Sequence, residues 1–208
     1  MFRRKWGVEM RAGPAVAEGR DEPATRRMRA DARQNLDALL EAAKAEFAAS
    51  GVDVPVRAIA ERAGVGVGTL YRHFPRRSDL ISAVFRREMD ACVDAADEFA
   101  AALPPDEALD RWVLRYTGFV ATKQGLAAAL HSGDPAYAPL TDYFSTRLAP
   151  TLGRLIDSAR SSGVAIRDVE PEEFLAAVAN LCHGAGPHAA GSAQAERMVR
   201  LLLAGLRA

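Results

Sequence analysis

Residues 67–74 concentrate side chains that can hydrogen-bond to phosphate oxygens and to the edges of bases. With a helical repeat, the apolar residues Val67, Leu70 and Phe74 point in one direction. The remaining side chains carry a hydroxyl, a phenol, a guanidinium and an imidazole, and they belong to Thr69, Tyr71, Arg72 and His73. Folding alone poorly explains four such groups on a two-turn helix. We therefore predict that this helix enters the major groove of DNA, and that Gly68 and Thr69 leave its first backbone N–H groups free to approach a phosphate.

Two amphipathic helices precede this segment and would hold it in place. The first has an apolar stripe at the spacing i, i+3, i+4, i+7 and i+11, formed by Leu36, Leu39, Leu40, Ala43 and Phe47. The second repeats the pattern over two turns, with Val56, Ile59, Ala60 and Ala63. Pro55 suits the start of the second helix, and Gly64 suits its end. Because stripe, proline, turn and polar helix follow in this order, a helix-turn-helix unit is favoured over a solvated helix of another all-α protein.

The chain resembles the tetracycline-repressor (TetR) family of transcriptional regulators in three segments: 59–65 (IAERAGV), 68–74 (GTLYRHF) and 77–80 (RSDL). The resemblance implies contacts with DNA phosphates or bases from Arg57, Thr69, Tyr71, His73 and Arg77. Two positions depart from the family pattern. Pro55 stands where many members place a Thr or Ser that caps the helix and touches phosphate. Arg77 stands where a Lys is common, which keeps the positive charge.

The distribution of charge agrees with a protein that presents one end to DNA. The 208 residues carry no net charge, but residues 1–87 contain 17 basic and 11 acidic side chains, a balance of +6. The rest of the chain therefore carries a balance of −6. A basic front half and an acidic rear half suit binding to a polyanion, although a run of charge alone is usually only a solvated face.

The sequence divides into three parts. Residues 1–33 are interrupted by glycine and proline and carry nine basic side chains, so we expect a flexible tail. Three alternatives are open: the tail is an arm that follows DNA, it is a segment without function, or translation begins at Met10 or Met28. Residues 34–78 form the helix-turn-helix domain. Residues 79–208 form a helical effector-binding and dimerisation domain. Its first helix is capped by Ser78 and Asp79. Because all of the predicted elements are helices, the expected fold class is all-α.

The last helix is apolar on more than one side. Its apolar residues spread too widely around the wheel for a single stripe: they are Met198, Val199, Leu201, Leu202, Leu203 and Leu206. Such a helix either lies in the centre of one monomer's core or contacts a second copy. The family resemblance implies a four-helix interface in a homodimer, which favours the second interpretation. The residues expected at the interface are Val178, Cys182, Val199, Leu202, Leu203 and Leu206.

A small-molecule effector is the other partner that the family resemblance implies. The residues that could line its cavity are Trp112, Tyr116, Phe119, His131, Phe144, Asn180 and His183. An aromatic stripe at helical spacing is more often plain core, and the polar members are the better candidates. The function predicted is a repressor released from a palindromic operator by a mostly apolar effector. The alternative is a dimeric DNA-binding protein whose rear domain binds no small molecule.

Other classes of function have little support in the sequence. The glycines at 64, 66 and 68 follow a helix and lack the spacing of a phosphate-binding loop. His183 and His188 are not spaced as helical metal ligands, so we expect no metal, no cofactor and no enzyme activity. Cys92 and Cys182 fall on apolar stripes and are expected to be buried, reduced thiols. No apolar run is long enough to cross a membrane and no signal peptide is evident, so a cytoplasmic location is predicted.

Overall fold

The computed structural model describes residues 22–130, 132–184 and 189–207. These residues contain nine α-helices and no β-strand, with one isolated bridge between Ile166 and Arg207. A 3-10 turn spans Pro135–Tyr137. The helices are α1 (Glu22–Ser50), α2 (Val56–Ala63), α3 (Val67–His73), α4 (Arg77–Ala102), α5 (Pro105–Gly125), α6 (Ala127–Leu130), α7 (Ala138–Ser161), α8 (Pro171–Gly184) and α9 (Ala189–Leu206). The predicted all-α fold is confirmed.

The first helix begins earlier than the sequence analysis predicted. α1 starts at Glu22, so residues 22–33 are helical, although we assigned them to a tail without fixed structure. This stretch is rich in Ala and Arg, which favour helix, and Pro23 lies in the first turn, where proline is tolerated. Residues 1–21 lie outside the described part of the chain. The chain divides into two units, 1–34 and 35–208, and the second contains the surfaces described below.

The front unit, defined here as residues 35–74, which comprise the second part of α1, α2, α3 and their connections, closes around an apolar core. The large side chains buried there are Leu39, Phe47, Ile59, Leu70 and Phe74. The turn between α2 and α3 depends on Gly64, whose φ of 69° lies in the left-handed region that favours glycine. The Gly64 N–H donates to the Glu61 carbonyl (3.1 Å) and the Val65 N–H donates to the Ala60 carbonyl (3.0 Å). These bonds satisfy the end of α2 and set the direction in which α3 leaves it.

The start of α4 is fixed by a different cap from the one predicted. The N-cap residue is Arg76 rather than Ser78, and the helix begins at Arg77. Asp79 Oδ2 accepts the Arg76 backbone N–H at 3.0 Å, and its other oxygen accepts from the Arg76 guanidinium at 2.8 Å. These hydrogen bonds with Arg76 hold the pKa of Asp79 below its usual value. Only three residues separate α3 from α4, so the front unit is joined to the rear helices by a short, capped connection.

The rear helices, α4 to α9, form the larger part of the core. α4, α5 and α7 pack on one another, and α8 and α9 pack together and against α5. The last turn of α9 is held by Arg167, whose backbone N–H donates to the Leu206 carbonyl at 2.9 Å. Arg207 then pairs with Asp110 on α5 at 2.7 Å. None of the helices in the described residues has the length and apolar character needed to span a membrane.

Candidate nucleic-acid interface

Leu70 determines which side of α3 faces the protein. Its side chain is only 2 % exposed, and it belongs to the buried apolar core. Phe74, immediately after the helix, is also buried. The side chains that project away from this anchor are Tyr71, Arg72 and His73, all exposed, and Thr69, which is half-buried. The helix therefore presents a phenol, a guanidinium and an imidazole to solvent from a rigidly anchored backbone.

Val67 does not lie where the sequence analysis placed it. We expected its side chain to face the preceding helices with Leu70 and Phe74, but it is 36 % exposed. The reason is geometric. Val67 is the first residue of α3, directly after the turn, and it lies about 60° around the helix from the buried Leu70, at the edge of the inward side. An aliphatic side chain thus stands on the same exposed surface as the polar groups.

Gly68 lies in the middle of that surface and has no structural need to be glycine. Its backbone is outside the left-handed region, and a Cβ placed there would meet no atom within 4 Å. The missing side chain leaves the helix backbone open to whatever approaches α3. This observation is compatible with the predicted close approach of a phosphate or base at Gly68.

Arg57 lies at the first turn of the neighbouring helix α2. Its guanidinium is exposed and its Nε donates to Glu61 Oε1 at 2.8 Å, one turn further along α2. Pro55 occupies the N-cap position and makes no side-chain cap hydrogen bond. The start of α2 therefore has no side-chain cap, and Arg57 is the polar side chain of its first turn.

Arg77 makes contacts within the protein. Its guanidinium donates to the carbonyl of Val52 and, at 2.9 Å, to the carbonyl of Val54, both in the loop between α1 and α2. The side chain is half-buried. Since two of its N–H groups are used by the loop, Arg77 ties the first turn of α4 to the front unit. The expected phosphate contact would have to come from its remaining N–H groups.

An ion pair between α1 and α4 was not anticipated from the sequence. Lys44 Nζ lies 2.7 Å from Glu88 Oε2, and the Glu88 side chain is almost fully buried. Arg87, next along α4, reaches Asp37 and Glu41 on α1 at 3.4 and 3.2 Å. A signal for the first pair exists in the sequence, because Glu88 interrupts the apolar face of α4, where a charge needs a partner.

The three aromatic residues predicted to line a cavity form a stacked row in the core. The Trp112 and Tyr116 rings are 6.1 Å apart with an interplanar angle of 7°, and Tyr116 stacks on Phe119 at 5.9 Å. All three side chains are buried. The Trp112 indole N–H donates to the Cys92 carbonyl on α4 at 2.8 Å, and the Tyr116 hydroxyl donates to the Leu175 carbonyl on α8 at 3.5 Å. These two hydrogen bonds connect α5 directly to α4 and α8.

The polar candidates for effector binding do not join this row. Asn180 and His183 are exposed on α8, and His183 Nδ1 lies 2.6 Å from the Ala179 carbonyl one turn earlier. His131 and the Phe144 side chain lie outside the described part of the structure. Cys92 and Cys182 are buried free thiols, and burial raises the pKa of Cys92 to about 12. Among the described residues no group of His, Cys, Asp or Glu is arranged to hold a metal ion.

Most residues expected at the dimer interface are covered within the single chain. These are Val178, Cys182, Val199, Leu203 and Leu206, and all five are buried. Leu202 is half-buried. The apolar side chains that α9 leaves outside are Leu201, which is 64 % exposed, and Met198, which is 38 % exposed. The helix is therefore apolar on two sides: one packs on the chain's own core and the other faces outward.

Comparison with known proteins agrees with this arrangement. The family model described as "Bacterial regulatory proteins, tetR family" matches residues 39–84, and the one described as "Transcriptional regulator SbtR-like, C-terminal domain" matches residues 104–208. A TetR transcriptional regulator from Streptomyces coelicolor is 37 % identical, with 82 % of this chain and 97 % of that chain covered and a TM-score of 0.71. A TetR regulatory protein from Mycobacterium vanbaalenii is 34 % identical, with 87 % and 99 % covered and a TM-score of 0.68.

A shorter match is found with an HTH-type transcriptional regulator of Staphylococcus aureus. The two are 42 % identical over 64 residues, which is 30 % of this chain and 35 % of that relative. The similarity therefore spans about a third of the curated relative. The three-helix front unit, its exposed polar helix and the matches along both halves define a DNA-binding transcriptional regulator. The chain belongs to the TetR family, whose members act as regulators and not as enzymes.

Proposed function

We propose that this TetR-family protein is a cytoplasmic homodimer that represses transcription by placing the two copies of α3 on a palindromic operator. The observation that carries the proposal is the exposed face of α3, where Arg72 projects opposite the buried Leu70. A guanidinium can bond bidentately to guanine in the major groove, and hydroxyl and imidazole groups suit phosphates. On this basis Arg72 reads bases, while Thr69, Tyr71 and His73 supply further contacts.

The palindrome follows from the size of the reading helix. α3 has only seven residues and can contact only a few base pairs. Two copies related by a two-fold axis double the contacts, and their recognition helices must lie about 34 Å apart to enter successive major grooves on one face of DNA. The operator would then be an inverted repeat with one turn between the centres of its half-sites.

The proposed dimer face is the outward side of α9, together with the neighbouring exposed side of α8. Met198 and Leu201 lie three residues apart, on one side of the helix, and both are exposed to solvent in the single chain. Leu202, half-buried beside them, extends the apolar area. A second copy covering this area would remove it from water. The buried residues Val199 and Leu203 hold α9 from behind and keep that face in position.

An apolar effector would act through the aromatic row on α5. Trp112 donates directly to the Cys92 carbonyl, so a displacement of its indole is transmitted to α4. α4 in turn follows α3 after a three-residue connection and is tied to the front unit by Arg77 and by the Lys44–Glu88 pair. A ligand that favours a different tilt of α4 would change the separation of the two recognition helices. Coupling of about 1–3 kcal/mol is typical of such switches.

One observation favours the alternative, in which the rear helices only dimerise. Trp112 and Tyr116 already use their donors on backbone carbonyls, and their rings are buried against each other and Phe119. Because the polar hydrogens of these side chains are already hydrogen-bonded, the row can serve as part of the core without a ligand. The two interpretations differ in one measurable property: only the first makes operator affinity depend on a molecule bound to the rear helices.

In vitro selection from a random duplex library tests the proposal. The purified protein should enrich one inverted repeat whose half-site centres are one helical turn apart. Titration of that labelled duplex by fluorescence anisotropy, with and without candidate apolar metabolites, then tests release. Enrichment of no sequence would reject the proposed function. Enrichment with an affinity that no rear-domain ligand alters would leave the dimerisation-only alternative in place.

A further inference from the structure

The exposed surface of α3 is organised in three rows along the helix axis. Successive residues are rotated by about 100°, so positions four apart lie nearly in line. With Leu70 facing inward, Gly68 and Arg72 form the central row, opposite the core. Thr69 and His73 form one flank. Val67 and Tyr71 form the other flank, with exposed fractions of 36 % and 50 %.

The Val67 flank is apolar beside an otherwise polar surface. Core packing does not account for a valine at this position, since Val67 remains 36 % exposed and does not belong to the buried core cluster. Valine also does not favour helix formation, because β-branching restricts the rotamers of its side chain in a helix. An aliphatic group is thus presented on the flank that Val67 shares with Tyr71, next to the bare backbone of Gly68.

The major groove of DNA offers one apolar group, the 5-methyl of thymine. We propose that Val67 contacts a thymine 5-methyl in each half-site and so determines specificity at that base pair. This inference rests on the proposed function, because it requires α3 to lie in the major groove. Gly68, in the central row, assists by presenting no side chain beside Val67, and Tyr71 lies one helical turn further along the same flank.

Thymine-to-uracil substitution removes only the methyl group and tests this contact. In the duplex selected by the protein, each symmetric pair of thymines is replaced in turn by uracil, and affinity is measured by fluorescence anisotropy for the wild type, Val67→Ala and Val67→Thr. At one pair the wild type should bind about three- to tenfold more weakly to the uracil duplex, because one methyl group is missing from each half-site. Val67→Ala should bind the thymine duplex more weakly by a similar factor and should no longer distinguish uracil from thymine at that pair. Val67→Thr keeps the shape and one methyl, and should retain part of the discrimination.

Two controls separate the possible results. Thermal unfolding should differ little among the three proteins, because residue 67 does not belong to the buried core. Uracil at thymines outside the selected inverted repeat should have no effect. The inference is overturned if Val67→Ala discriminates uracil as strongly as the wild type, or if no thymine pair matters to the wild type. Either result would leave sequence-specific binding itself intact, whereas failure to select any duplex would reject the proposed function.

Discussion

Lys44 Nζ on α1 lies 2.7 Å from Glu88 Oε2 on α4, where the Glu88 side chain is only 6 % exposed. The pair joins the helix that supports the front unit to the helix that enters the rear core. Arg87 adds two more exposed contacts to α1. The front unit is therefore fastened to α4 by charge as well as by apolar packing, so a movement of α4 must either carry the front unit with it or break these contacts.

Removing the cation of this pair should destabilise the protein. Lys44→Ala leaves the Glu88 carboxylate buried without its partner, and we expect the free energy of unfolding to fall by about 1–3 kcal/mol. Urea denaturation followed by circular dichroism measures the change. Glu61→Ala breaks the exposed Arg57–Glu61 pair and serves as the control, with an expected loss much smaller than that of Lys44→Ala, because water screens an exposed pair. Equal effects of the two substitutions would contradict the role assigned to Lys44.

Substitution by alanine should have opposite effects at two glycines, Gly64 in the turn and Gly68 in α3. Gly64→Ala places a side chain at a φ of 69° and should cost about 1–2 kcal/mol of stability. Gly68→Ala meets no atom within 4 Å and should leave the melting temperature unchanged or higher. Its methyl would nevertheless stand between α3 and the groove, so operator affinity should fall at least about tenfold, a change of about 1.4 kcal/mol. Normal binding by Gly68→Ala would remove Gly68 from the interface.

The salt dependence of binding can distinguish two roles of Arg77. The structure binds its guanidinium to the carbonyls of Val52 and Val54, which predicts that Arg77→Ala lowers the melting temperature and weakens binding with an unchanged salt slope. A phosphate-binding role predicts instead a slope shallower by about 0.9 for each phosphate that is no longer neutralised. Arg57→Ala is the matched comparison, because Arg57 is exposed at the first turn of α2. A shallower slope with an unchanged melting temperature would favour the phosphate-binding role for Arg77.

A charge on the outward side of α9 should prevent dimerisation. Leu201→Glu replaces the most exposed apolar side chain of that helix with a carboxylate that the partner copy would bury. Sedimentation velocity should show a monomer, with a far-ultraviolet spectrum like the wild type because residue 201 is outside the monomer core. Ala100→Glu, at an exposed site on α4, should remain dimeric. A dimeric Leu201→Glu variant, or a monomeric wild type, would exclude this face as the interface.

The sequence was sufficient for the order of elements and for the turn. The apolar stripe from Leu36 to Phe47 and the glycine after α2 depend on local spacing, and local spacing is what a sequence reports directly. The exposure of Arg72 and His73 followed from the same wheel, once Leu70 was taken as the inward residue.

Features that depend on tertiary packing were not predictable in this way. Val67 is the first residue of a helix, and a helical wheel does not show whether the core has room for a side chain at that position. The family resemblance implied a DNA contact for Arg77, and it gave no sign of the carbonyls that Arg77 binds, which belong to a loop more than twenty residues earlier in the chain. The helical stretch before residue 34 was missed because the glycines and prolines nearby were given more weight than its alanines and arginines.

The central claim is that the exposed face of α3 reads a specific DNA sequence, and Arg72 tests it most directly. Binding of the selected duplex and of a scrambled duplex should be compared for the wild type, Arg72→Ala and Arg111→Ala, which removes an exposed arginine from α5. We predict that Arg72→Ala loses about 1–3 kcal/mol of affinity for the selected duplex and most of its preference over the scrambled one, while Arg111→Ala binds like the wild type. An Arg72→Ala protein that is folded, dimeric and as selective as the wild type would contradict the account.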